Sequence, residues 1–302
     1  MTRALRLGTI LLACMLTAVA ADKQILLIAG KPSHPPGQHE HNAGVGILAK
    51  WLNTVPGIHA TTSLSGAWPE ARDFEKADAI YFFFDGGESH LAFQEGHAGD
   101  VTKAASRGAG LMFMHYATEP PAKLGHAEML DWIGGFFDLN YSVNPVYEAE
   151  FNTLPAHPIT RGVKPFKIKD EWYYNIRFKD NLQNFTGILV TTPPADTIKG
   201  DGIRSGNADV RTKVGQPHFV AWAGERQNGG RSVGLTGGHF HSNLGDENFR
   251  KIVLNSLVWV AKAEVPANGI EVSVKPEDLT ENLDPKQSRP RPPAPPVLKK
   301  ED

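Results

Sequence analysis

A chain of 302 residues, 41% apolar and 21% charged, has enough material for one large domain or two small ones with a real core, which excludes disorder or coiled coil for its bulk. A formal net charge of -2 at pH 7 supplies no basic field for nucleic acid or an anionic membrane, and no long run of like charge offers a binding arm. Its 12 histidines are out of proportion to its length, so the search for chemistry starts with them.

Residues 1–21 read as a secretory leader, with Arg3 and Arg6 at the start, an apolar stretch over 7–20 and small residues Ala18 and Ala20 before Asp22. This predicts a periplasmic or secreted protein with no membrane span left after cleavage. An uncleaved anchor and a lipoprotein cut before Cys14 are the competing readings, but the stretch is short for a span, and Leu12 and the apolar residues 15–20 fit a lipoprotein poorly. Cys14 is the only cysteine, so the mature chain would hold no disulfide, thiolate metal site or cysteine nucleophile. Its chemistry must come from nitrogen and oxygen atoms.

Residues 24–29 (QILLIA) run apolar without alternation and end at Gly30, the pattern of a strand covered on both faces in a parallel sheet. Residues 79–84 (AIYFFF) and 110–114 (GLMFM) repeat it. Val45, Leu48, Ala49 and Leu52 predict a helix over 43–52, and 97–105 is a second helical candidate. A short amphipathic strand precedes Asp170, and further strands are expected at 187–191, 219–222 and 232–236. A closing helix over 247–260 sets Phe249, Ile252, Val253, Leu257 and Val260 on one face. The alternation predicts one doubly wound α/β domain over residues 22–264. From Val265 the composition shifts, and RPRPPAPP at 289–296 has no means of burying itself, so 265–302 are expected to be an extended Pro-rich tail. Within it, 269–274 alternates well enough to add an edge strand.

Ligands of an open parallel sheet bind beyond the carboxyl ends of its strands. There the chain places His34, His39, Glu40 and His41 in a Gly/Pro loop, Asp85 after AIYFFF, His115 after GLMFM, and His239 and His241 in GGHFHSN. Histidines two apart point the same way in an extended segment, and three such ligands plus an open position would make a catalytic site for zinc or another first-row ion. Against this, histidines on Gly-rich loops are commonly solvated or bonded to carbonyls. Glu171 and Asp170 lie on opposite faces of an extended segment, with Tyr173 and Tyr174 beside them, as a general base and a sugar-stacking platform or as a surface turn with two half-buried tyrosines. Asp85 could orient a histidine, bind a sugar hydroxyl or cap the next helix. The turn after GLMFM carries His115 where a nucleophile elbow would carry Ser or Cys, which argues against covalent acyl transfer, and no strand is followed by a P-loop or GxGxxG.

AGKPSHPPGQHEHNAG, GAGLMFMH, HPITRGVKPFKIKDEWYY, HFVAW, GGRSVGLTGGHFHSN and a helix ending in VWVA, in that order over nearly all of 22–264, resemble the ThuA-like (trehalose utilisation) family. The LTENLDPK stretch of the tail is similar to that of secreted relatives. The resemblance implies a flavodoxin-like, doubly wound, mostly parallel sheet with helices on both faces, of the class I glutamine amidotransferase-like superfamily without its catalytic cysteine. It also implies a role in carbohydrate metabolism and a divalent metal site, zinc favoured, on His39, His115 and His239, with Glu171 matching the family's acidic residue ahead of a tyrosine. HEH and HFH stand here where single histidines are expected. The expectation is therefore a metal-assisted hydrolase or lyase acting on a small carbohydrate, a sugar or keto-sugar glycoside. Glu171, His241 and Asp85 would do the catalysis, and Tyr116, Trp172, Tyr173 and His34 would bind substrate. The alternative is a non-catalytic carbohydrate-binding or scaffold domain using the same cleft.

Overall fold

The computed structural model describes residues 22–94, 96–180 and 184–286. The leader with Cys14, and the Pro-rich stretch at 289–296, lie outside the described residues. The first half of the chain contains β1 (Lys23–Ala29), α1 (His41–Leu52), β2 (Ile58–Ser63), α2 (Ala71–Lys76), β3 (Ala79–Phe83), α3 (His97–Ser106), β4 (Gly110–Met114) and α4 (His126–Ile133). Next come β5 (Gly135–Phe136), β6 (Val146–Phe151), β7 (Phe166–Glu171), β8 (Arg177–Phe178) and β9 (Phe185–Thr191). Short helices α5 (Ile203–Gly206) and α6 (Ala208–Arg211) lead to β10 (His218–Glu225), β11 (Arg231–Leu235) and α7 (Glu247–Val260).

Seven strands form the central sheet in the order β2-β1-β3-β4-β11-β10-β9. The pairs from β2 through β11 are parallel, and β10 runs antiparallel to both its neighbours. The apolar runs alternate between two cores, as the pleat requires. Ile25, Leu27, Ala29, Tyr81, Phe83, Met112 and Met114 pack with α1 and α7, while Leu26, Ile28, Ile80, Phe82, Leu111 and Phe113 pack with residues of α2, α3 and α4. Both faces being covered, neither could be polar, and the expected α/β architecture is the one observed. The edge strand β2 escapes a search for apolar runs because only Ile58 and Ala60 of its IHATTS are buried.

The antiparallel pair β6 and β7 stands outside this sheet and ends at Glu171, carrying that carboxylate toward the strand ends. Among the described residues no helix is long and apolar enough to cross a membrane.

The boundary expected at 264 falls too early. Val265 and Ile270 are 1% and 3% exposed, and the Ile270 amide donates to Oδ1 of Asn255 on α7 (2.8 Å). Residues 269–274 form no strand, and the chain continues against the domain as far as Lys286. The alternation over 269–274 was the available signal, since Ile270 is buried and Val272 and Val274 pack against the same core, whereas the contacts farther on, as far as Lys286, have no periodic signature.

Candidate metal centre

β1 has β2 on one side and β3, then β4, on the other, so the connections diverge between β1 and β3 and leave a crevice at their carboxyl ends. His39 lies in the loop after β1, Asp85 after β3, His115 directly after β4 and His239 after β11. His39 (φ 45°) and His115 (φ 54°) have left-handed backbones, which cost a non-glycine residue ~1–3 kcal/mol and persist only where the surroundings impose them. Here the two histidine loops are joined by backbone: the His39 amide donates to the His239 carbonyl (3.0 Å), Gln38 and Phe240 form a β-bridge, and the His241 amide donates to the Gly37 carbonyl (3.0 Å).

The rings then meet. His39 Nε2 lies 3.0 Å from His239 Nδ1 and 3.1 Å from His115 Nε2, and those two atoms are 3.3 Å apart. Glu171 Oε2 sits 3.4 Å from His115 Nε2 and 3.3 Å from His239 Nδ1. These five separations are close to the edge of a tetrahedron whose centre is ~2.0–2.1 Å from each corner, the distance of zinc from imidazole nitrogen, and the His39 nitrogen and Glu171 oxygen lie within 4.8 Å of each other.

The outer ring atoms fix the tautomers. His39 Nδ1 donates to Asp85 Oδ1 (2.8 Å), and His115 Nδ1 donates to the Thr236 carbonyl (2.8 Å). Burial pushes the His39 pKa down to about 2 in spite of the Asp85 bond, so its Nε2 presents a lone pair. Burial works against the charge of Asp85 too, yet the His39 bond holds it below the usual carboxylate range. His115 is pulled down by burial but raised overall by Glu171, and Glu171 is in turn held below its ordinary value by His115 and His239 against its own burial. Lone pairs aimed at one another at 3.1 Å repel, so this geometry requires a positive charge between them, a proton or a metal ion.

A family model described as ThuA, trehalose utilisation, matches residues 26–260. The chain belongs to the ThuA family. A thua-like protein from Bacteroides uniformis is similar at 15% identity and a TM-score of 0.57, over 80% of this chain and 93% of that one. One from Parabacteroides merdae is similar at 14% identity and a TM-score of 0.54, over 85% and 94%. At such identities the likeness speaks for the fold alone. No curated protein matches the sequence.

The doubled motifs of this ThuA chain are resolved by its backbone. Neither stretch is extended: His39 is left-handed and α1 begins at His41, while Gly238 (φ 120°) precedes His239 and a 3-10 turn begins at His241. In each pair the first histidine joins the cluster and the second turns away. His41 Nδ1 bonds the Lys31 carbonyl (3.0 Å), and its Nε2 is 3.6 Å from Asp85. His241, expected to be catalytic, is instead buried near Glu40 and Lys286 and is not one of the converging groups.

Trp172, expected to bind substrate, is fully buried between Phe151 and Phe249, with Gly237 so close that a Cβ there would lie 2.5 Å from the indole. It has no face for a sugar. Tyr173 is 1% exposed and does not stack on ligand either; its hydroxyl lies 3.3 Å from His115 Nε2 and is kept protonated by burial. His34 and Tyr116 do stand at the rim. The exposed His34 ring stacks on His39 (3.6 Å, 17°), and the half-buried Tyr116 meets it edge-on at 6.3 Å.

Further groups support the cluster, and of these the sequence pointed only to Asp170. Asp170, on the face of β7 opposite Glu171, is fully buried and accepts the amides of Gly238 (2.7 Å) and His239 (3.0 Å). Its adjacency to Glu171 was the available signal, since an extended pair must send one carboxylate inward. Asn144 Nδ2 donates to Glu171 Oε1 (3.2 Å). Arg204, on the short helix α5, forms a two-pronged ion pair with the buried Glu119 (2.7 and 2.5 Å), its guanidinium 5.8 Å from the Tyr116 ring centre. No local pattern marks either residue.

Proposed function

We propose that this ThuA-family chain is an exported, metal-dependent enzyme of carbohydrate metabolism, a hydrolase or lyase acting on sugar or keto-sugar glycosides. A single divalent ion, zinc favoured, would be held by His39, His115, His239 and Glu171. The observation that carries this reading is the convergence of three imidazole nitrogens, 3.0–3.3 Å apart, and one carboxylate oxygen, all four atoms within 4.8 Å of one another, with the tautomers of His39 and His115 fixed from outside by Asp85 and Thr236. The leader-like residues 1–21 support export.

Bound there, the ion supplies a Lewis acid that polarises a carbonyl or hydroxyl oxygen. The chain's own residues do the rest. Glu171 brings negative charge to the cluster and is steadied by Asn144. Tyr173 holds its proton at the hydroxyl beside His115 Nε2. The His34 side chain is 31% exposed against 1%, 0% and 9% for His39, His115 and His239, so it is the imidazole able to pass a proton between crevice and substrate. Tyr116 takes the stacking role that the buried Trp172 and Tyr173 cannot, which leaves a purely carbohydrate-binding domain with one of its three aromatics.

The test is to strip the exported protein with chelator, refill it and count metal by elemental analysis. About one ion per chain is expected. Absence of metal after refilling, or binding by a His39, His115, His239 triple alanine variant equal to wild type, overturns the metal reading. Turnover is then sought on disaccharides, their keto forms and simple glycosides with Zn, Mn, Mg and Ca. Measurable sugar affinity of the loaded protein without turnover of any of these favours the binding domain.

A further inference from the structure

Residues 275–286 run back over α1 to the loop that carries His39. Lys50 on α1 holds Asp278 and Glu281 (both 2.9 Å), and Asn42 donates to Asp284 Oδ1 (2.7 Å). The Asp284 amide donates to Glu40 Oε2 (3.0 Å). Lys286, its side chain 4% exposed, donates from Nζ to the carbonyls of Gln38 and His39 (3.0 Å to the latter) and stands 3.2 Å from Glu40 Oε1. Glu40 is itself 1% exposed and accepts the Gly37 amide (2.7 Å).

These contacts of the Lys286 ammonium are all with residues 38–40. A buried ammonium set on a buried carboxylate and two carbonyls has little freedom, and its removal would leave Glu40 an uncompensated charge beneath the loop. The left-handed His39 is thus gripped from two sides: the His239 loop bonds its amide, and Lys286 bonds its carbonyl. Distance along the chain makes this a long-range tie, its two partners standing 247 positions apart.

We propose that residues 275–286 are a strap and that Lys286 is a positioning residue for His39, so that the end of the chain helps to set the metal affinity of the cluster. The proposal rests on the metal reading above. Three measurements on the full chain test it: zinc affinity by competition titration, the absorption spectrum of the cobalt(II)-loaded protein, and amide exchange over residues 37–41. In Lys286→Met, zinc should bind about 10- to 100-fold more weakly, as when other supporting partners of ligating histidines are lost, with a changed cobalt spectrum and faster exchange. Lys286→Arg should recover most of the affinity, since a guanidinium can still reach the same acceptors. Lys251→Met removes another buried lysine, one paired with Glu247 within α7, and should leave all three readouts at wild type whatever happens to Tm.

If Lys286→Met yields no folded protein, Asp284→Ala, which cuts the tether to Asn42, carries the comparison with the same direction expected. Wild-type affinity, spectrum and exchange in the folded strap variant overturn the proposal, as does a Lys251→Met chain that reproduces its effects. A wild-type chain that binds no metal overturns the functional reading instead, and exchange over 37–41 then decides the strap alone.

Discussion

Replacing Asp170 by asparagine asks whether the His239 loop is held by charge or by shape. The side chain is fully buried, and its oxygens accept four hydrogen bonds: Oδ1 from the amides of Glu171 (2.8 Å) and His239 (3.0 Å), Oδ2 from the amide of Gly238 (2.7 Å) and from Asn243 Nδ2 (3.0 Å). Asparagine has the same outline but one oxygen, so either orientation turns an NH2 group toward two donors. Losing two bonds to an anion, at ~1.5–3 kcal/mol each, bounds the cost at ~3–6 kcal/mol, and relaxation of the loop brings the expectation to the lower end. A loss of ~3 kcal/mol should lower Tm by ~6–12 °C in a domain of this size. The His239 ring should lose its setting as well, weakening zinc binding by about 10- to 100-fold. Urea denaturation of the chelated protein, with m unchanged, measures the first effect, and a zinc competition titration measures the second. An Asp170→Asn chain within ~1 kcal/mol of wild type, binding zinc as tightly, would refute the assignment of Asp170 as the anchor of that loop.

Acid should destabilise the fold through His90, whose pKa burial holds down to about 4 although its Nε2 bonds the Ala117 carbonyl. The unfolded chain takes up this proton near 6.5 and the folded chain only near 4, so stability present above 6.5 is lost as pH falls through that window, by up to ~3 kcal/mol; denaturation curves from pH 7 to 4 should show a shallower loss in His90→Gln, and equal slopes exclude His90 as a cause. His239→Asn should abolish metal binding while His241→Asn leaves about one ion per chain in elemental analysis; equal losses would mean that the two histidines are not divided as the backbone divides them. Ending the chain at Ala267 removes the buried Ile270, worth ~1.5–3 kcal/mol in apolar burial alone, so Tm should fall by at least ~3 °C, and an unchanged melting curve would restore the earlier boundary.

Much of this architecture is written locally. Residues 24–29, 79–84 and 110–114 can be uninterrupted apolar runs only if both faces of the sheet are covered, and that requirement, with helical spacing between them, implies parallel strands and places the chemistry at their carboxyl ends. Hence Asp85, His115, His39 and His239 were legible as candidates, because each directly follows or sits in the loop after such a run. Which histidine of each pair joins the cluster was not legible from residue type and spacing, and only the family resemblance pointed to His39 and His239. Ring direction depends on a left-handed φ at His39 and on a φ of 120° at Gly238, and these are imposed by bonds between loops 200 residues apart rather than by residue type. The same holds for Trp172, whose aromatic surface suits a sugar or a core equally well until Phe151, Phe249 and Gly237 close over it. It holds again for the last residues against the domain, where Asp284 and Lys286 follow no period and gain their meaning only from Glu40. Periodic burial is a property of neighbours in sequence and can be read there; a site assembled from separate strand ends is a property of neighbours in space, fixed by contacts that no local pattern records.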